Sequence, residues 1–166
     1  GALNPKLYGQ SVPVHLSQFM EGRGRPSNGP LDGEGRRSIY IRIQRNFLSP
    51  MMLAFDMPSP FSTMGRRSNS NVPAQSLILM NDPFVWQQAE RWAQKIMSDS
   101  AMTTDQRIEM AFESALGRLP TPSQLQRVHR FVEDQAEIYQ SDVNDPRVWT
   151  DVCHAILNMK EFIYLN

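Results

Sequence analysis

Residues 65–76, GRRSNSNVPAQS, place the densest hydrogen-bonding chemistry of the chain beside a helix start. Arg66 and Arg67 precede Ser68, Asn69, Ser70 and Asn71, and the apolar run after Pro73 reads as a helix opening near Val72–Pro73. The free amides of a helix N-terminus attract anions. Guanidinium groups pair bidentately with carboxylates, phosphates and sulfates. Arg66, Arg67, Ser68, Asn69 and Asn71 are therefore the candidate residues for an anionic ligand, an acidic carbohydrate included. The competing reading is local. Asn71 caps the helix, Ser68 and Asn69 form turns, and the arginines pair with acids such as Asp56 or Asp82.

Other chemistries find no residues in the right pattern. His15, His129 and His154 are far apart, and no His/Cys/acid group has the spacing of a metal site. Cys153 and His154 are neighbours, so a helix points them about 100° apart. DVND at 142–145 lacks the glycine and distant glutamate of a calcium loop, and Asp145 is better used as a helix cap. There is no CxxCH for covalent haem, and Met51, Met52, Met57, Met64 and Met80 read as adaptable core filler. No GxSxG occurs, and no Ser or Cys comes with an identifiable base. Glu109 and Glu113 lie at i,i+4 and read as solvated charges. The expectation is no catalytic residue, no metal and no cofactor.

The elements that would carry these residues divide the chain in two. In 1–48, SVPVHL (11–16) alternates Val12, Val14 and Leu16, and RRSIYIRIQR (36–45) alternates Ile39, Ile41 and Ile43. Period two with β-branched residues predicts two strands, pairing as a small ribbon. Between them runs a Gly/Pro-rich loop, 21–35, of a length that is usually functional, disordered or packed on a partner outside this chain. In 49–166 the pattern is helical. Ser49 and Pro50 open a short helix, stopped by Pro58 and Pro60. Asp82–Pro83, Thr103 with Gln106, Thr121–Pro122 with Gln124, and Asp145–Pro146 each place a capping side chain at the start of a long amphipathic segment. Gly117 is a natural C′ residue. On the helix from Pro83, Trp86 and Trp92 widen the apolar arc beyond one core stripe, either as further core in a helix buried on several sides or as a face that docks a partner domain. The predicted fold is mainly α: a bundle-like domain of about four long helices, short N-terminal helices and a small β ribbon, all in one domain over 1–166.

Composition narrows the function. With 40% apolar and 20% charged residues, the chain can bury a real core, and no run approaches the roughly 20 apolar residues of a membrane span. One cysteine excludes an internal disulfide. Net charge is zero but segregated: nine basic against four acidic residues in 1–72, eight against thirteen in 73–166. Neither half is basic enough to argue for nucleic acid. The asymmetry favours a basic face on the first half, or packing of the halves on each other. Fourteen of the seventeen basic residues are arginines, as either planar pairing with acidic groups or a GC-rich genome would favour.

RRSIYIRIQRN, LAFDMPSP, GRRSNSNVPAQSLILMNDPFV, QAERWA, ALGRLPTPSQL and LNMKEFIYLN follow one another over residues 20–166. In this order they resemble the C-terminal domain of unknown function of large secreted planctomycete proteins. Those proteins carry a cytochrome c-like domain and a planctomycete-specific domain upstream. The resemblance brings no assigned activity and no catalytic residues. It implies export to the periplasm or cell envelope. It also implies that GALNPKLYGQ is the cut end of a longer chain, and that upstream domains of the same polypeptide are the partners. The leading functional expectation is a non-catalytic interaction or structural module with an anion- or carbohydrate-binding surface. The alternatives are a substrate-binding wall of an active site completed upstream, or a docking partner for a cytochrome c-like domain.

Overall fold

The structure is a computed structural model, describing residues 2–58, 60–61, 63, 65 and 73–163. It is mainly helical: α1 (Pro50–Ala54), α2 (Pro73–Asn81), α3 (Pro83–Ile96), α4 (Thr104–Leu116), α5 (Pro122–Ile138), α6 (Pro146–Leu157) and α7 (Lys160–Ile163), with two 3-10 turns, Gly33–Gly35 and Ser38–Tyr40. The chain forms two compact units, Gly1–Ile78 and Leu79–Asn166.

Helix starts in the second unit follow local chemistry. Asp82 accepts from the Phe84 amide and Asp145 from the Arg147 amide, each followed by a proline that needs no donor partner. Thr103 with Gln106, and Thr121 with Gln124, form reciprocal capping boxes. Gly117 ends α4 at φ 67°, the left-handed conformation that glycine adopts without a Cβ clash. The caps fix the helix phase, and the phase sets which side chains turn inward. Ala89, Ala93 and Ile96 of α3 meet Val148, Trp149, Val152, Cys153 and Ile156 of α6, with Ile108, Ala111 and Phe112 of α4 and Val132 and Ala136 of α5 completing the core. The alanines of α3 bring it close to α6, its main packing partner. Trp149 is fully buried, and its indole N–H donates to the Val143 carbonyl at 2.9 Å, so the ring carries no unpaired polar atom into the core. Trp92 packs on this core. Trp86 turns its indole N–H to Glu90 at 3.1 Å and sets its ring edge-on to His154.

The first unit departs from the predicted ribbon. No strand forms among the described residues, and the pairing is reduced to isolated bridges, Asn4 with Arg36, Val12 with Ile41 and Gln44 with Phe47. Ser38–Tyr40 closes a 3-10 turn inside the alternating segment, so the period-two pattern is broken where it should pair. Ile41 alone turns toward the small core of Val14, Leu16 and Phe47, while Ile39 and Ile43 are left in solvent. Val12, Val14 and Leu16 are buried. Part of the Gly/Pro loop packs within the first unit. Gly29 lies flat against residues 13–14 and donates its amide to the Val14 carbonyl at 3.0 Å, while Asn28 accepts from the Leu16 amide. The loop supplies hydrogen-bond partners that a second strand would have offered.

Candidate functional site: an apolar and basic surface on the first unit

Arg66, Arg67, Ser68, Asn69 and Asn71, with the helix start at Val72, lie outside the described residues. Among the described residues, the first unit leaves several large apolar side chains exposed beside one fixed loop. The loop begins with a mismatch of lengths. The bridges Asn4–Arg36 and Val12–Ile41 are parallel, yet eight residue steps separate them on one segment and five on the other. The longer segment must bulge. It turns at Tyr8, a non-glycine residue at φ 61°, and residues 6–10 stand out from the ladder.

Arg36 holds this bulge. Its guanidinium donates to the carbonyls of Lys6 at 3.2 Å, Tyr8 at 2.7 Å and Gln10 at 3.0 Å, and its Cζ lies 3.9 Å from the centroid of the Tyr40 ring. The Tyr40 hydroxyl accepts from the Tyr8 amide at 3.2 Å. One arginine therefore meets three carbonyls that a strand partner would otherwise satisfy. Lys6 draws its own amide partner from Asn4, whose Oδ1 accepts at 3.1 Å.

The fixed bulge leaves apolar side chains in water. Leu3 is 64% exposed, Leu7 59%, Tyr8 81%, Ile39 79% and Ile43 61%. Single exposed apolar residues are ordinary, and here five large ones lie on the two segments joined by the bridges Asn4–Arg36 and Val12–Ile41. Cations lie on the same segments: Lys6 and Arg37 are exposed and without a side-chain partner among the described residues, and the Arg42 guanidinium donates to the Ser11 hydroxyl at 3.2 Å. The ion pairs found among the described residues, Arg118–Glu161, His129–Asp105 and Arg147–Asp145, all lie in the second unit. Sequence reading missed this surface. Its available signal was LYGQ beside a second arginine pair, Arg36–Arg37, in which one arginine serves the fold and the other is left free.

The second unit uses its polar groups to join helices. Arg118 chelates Glu161 through two contacts of 2.6 Å and also reaches Gln124, tying α7 to the α4–α5 loop. Tyr139 donates to Asp151 at 2.8 Å, and this hydrogen bond raises the phenol above its usual range. Asp105 on α4 meets His129 on α5. His154 donates Nε2–H to the Leu79 carbonyl at 3.1 Å. Cys153 is buried, and desolvation pushes its thiol up to about 12, far from nucleophilic. Glu109 and Glu113 line an open groove of about 560 Å³ with Asp99, Met102, Met110 and Leu119. No group of three metal-ligating side chains occurs among the described residues.

What this arrangement defines is a mainly helical protein whose first unit leaves several large apolar side chains exposed around a loop held by Arg36. Its sequence matches, over residues 1–132, the family described as PSD1, Protein of unknown function (DUF1553), and the chain belongs to that family. No curated protein and no solved structure matches it.

Proposed function

We propose that this chain is a non-catalytic interaction and structural module of a larger cell-envelope protein of the planctomycete kind, in which a cytochrome c-like domain stands upstream. The module packs against the upstream domains of the same polypeptide. The observation that carries the reading is the apolar surface of residues 3–43, built on a bulge whose carbonyls Arg36 has already engaged. A loop held this way loses little further freedom on docking, so more of the burial energy appears as affinity. Arg66, Arg67, Ser68, Asn69 and Asn71 remain the proposed site for an anionic or carbohydrate ligand on that module.

The test is covalent footprinting of side chains in the 166-residue chain and in the full native polypeptide. Leu7, Tyr8 and Ile39 are expected to label readily in the former and to be protected in the latter. Equal labelling in both would remove the docking reading.

A further inference from the structure

We propose that Asn28–Gly29 is a self-modification site, held off by the fold of the first unit and released when that unit opens. It is the one Asn-Gly pair in the sequence. The reaction is intramolecular and consumes only water. The Gly29 amide nitrogen loses its proton to solvent and attacks the Asn28 Cγ. The N–Cγ bond forms, the Cγ–Nδ2 bond breaks, and Nδ2 takes a proton from water and leaves as ammonia. Water then opens the succinimide at either carbonyl. One product is an aspartate at position 28, and the other is an isoaspartate whose main chain runs through Cβ and Cγ. Asparagine is among the thermolabile residues. A following glycine favours ring closure because no side chain shields its nitrogen and its backbone is the least restricted.

The fold itself demands this pair. A Cβ at Gly29 would lie 1.9 Å from the Pro13 carbonyl oxygen, so packing requires glycine there. The Asn28 Oδ1 accepts from the Leu16 amide at 2.6 Å, so the same packing uses the asparagine. The fold also restrains the pair. The Gly29 amide donates to the Val14 carbonyl at 3.0 Å, and the Gly29 carbonyl accepts from His15 Nδ1 at 3.1 Å. Three successive residues, 14 to 16, thus hold the attacking residue and the group it attacks. Gly29 is buried, so solvent base does not reach the proton that must leave, whereas Asn28 is exposed to water. Reaction waits on local opening. The core beneath is the small cluster of Val14, Leu16 and Phe47, so opening is the low-stability event of this unit. Aspartate at position 28 keeps an oxygen for the Leu16 amide. Isoaspartate inserts a methylene into the main chain beside the tightest packing of the loop, so it blocks reclosure. The isoaspartate is therefore a one-way mark on chains whose first unit has opened.

The test is incubation of the 166-residue chain at neutral pH, in native buffer and in concentrated urea, followed by peptide mass spectrometry with chromatographic separation of isoaspartate. In urea, position 28 should convert before any other asparagine. In native buffer it should convert at least about tenfold more slowly. Phe47→Ala, which removes part of the small core, should move the native rate toward the urea rate, and should reach it if the first unit unfolds altogether. Asn28→Asp should keep the wild-type melting curve, while the purified isoaspartate form should lose amide-exchange protection at Leu16 and Gly29. Equal rates in native buffer and urea, or no effect of Phe47→Ala, would overturn gating by the fold. Earlier conversion of another asparagine in urea would overturn the site. Wild-type protection in the isoaspartate form would overturn the one-way mark.

Discussion

Arg36 and Arg107 show how one residue type is put to different uses. Arg36 organises a surface loop by donating to three carbonyls. Arg107 is only 4% exposed, donates to Asn144 at 2.6 Å and toward the Asp99 carbonyl at 3.4 Å, and sits 5.6 Å from the Trp149 ring centroid. It joins the loops at the ends of α3 and α5 without a carboxylate. Gly29 is the opposite kind of control, exerted by an absent atom. A Cβ built there falls 1.9 Å from the Pro13 carbonyl oxygen and 2.5 Å from its carbon, both backbone atoms. The loop cannot yield without giving up the hydrogen bonds of Gly29 and Asn28 to residues 14 and 16. Gly29→Ala is therefore expected to destabilise the first unit by about 1–3 kcal/mol, the usual cost of overpacking. Chemical denaturation followed by near-ultraviolet circular dichroism would show it. A change below about 0.5 kcal/mol would mean the loop is not clamped.

At the scale of elements, α3 to α6 were legible because independent signals coincide in them: a capping side chain and an apolar stripe in all four, and a proline at the first position in α3, α5 and α6. Asp82, Thr103, Thr121 and Asp145 all cap as their spacing predicts. The strands were not legible, because alternation of Ile39, Ile41 and Ile43 fits an extended segment equally well whether or not a partner strand exists. The decisive factors were the turn at Ser38–Tyr40 and the unequal segment lengths between bridges, neither of which is written in the pattern. The surface at residues 3–43 was hidden for the same reason: a hydrophobic residue is read as core until its neighbours are known. Helix-end electrostatics give a prediction at this scale. Hydrogen bonds from Arg147 hold the Asp145 carboxyl well below its ordinary value of 3.8, and those from Arg118 hold Glu161 below 4.5. Both carboxyls are more acidic folded than unfolded, so their contribution is present above those ordinary values and lost as pH falls through the folded ones. The melting temperature should be flat from neutrality to about pH 5 and drop below about pH 4. Asn caps helices as well as Asp, so Asp145→Asn should preserve α6 while making the acid limb shallower. An unchanged acid limb would show that the Arg147 pair contributes nothing.

For the whole molecule, the distribution of apolar burial matters more than its total. Leu79–Asn166 encloses a continuous core drawn from four helices, whereas Gly1–Ile78 has a small cluster around Val14, Leu16 and Phe47. Stability in water scales with the apolar surface a unit can enclose, and small cores are marginal. The two units should therefore differ in local stability, with the first exchanging its amides faster. The boundary at residue 78 cuts through α2, yet the Leu79 carbonyl is held by His154, so the natural cut for an independent second unit lies before the helix rather than inside it. A fragment of residues 73–166 keeps α2 to α7, their caps and the complete Trp149 core. It is expected to be helical by far-ultraviolet circular dichroism and to melt cooperatively, with Trp149 fluorescence as the core reporter. If that fragment is unfolded, the second unit draws stability from residues 1–72 that its own packing does not explain. If it folds, the second unit owes nothing essential to the small core around Val14, Leu16 and Phe47, and the lower stability of the first unit is its own.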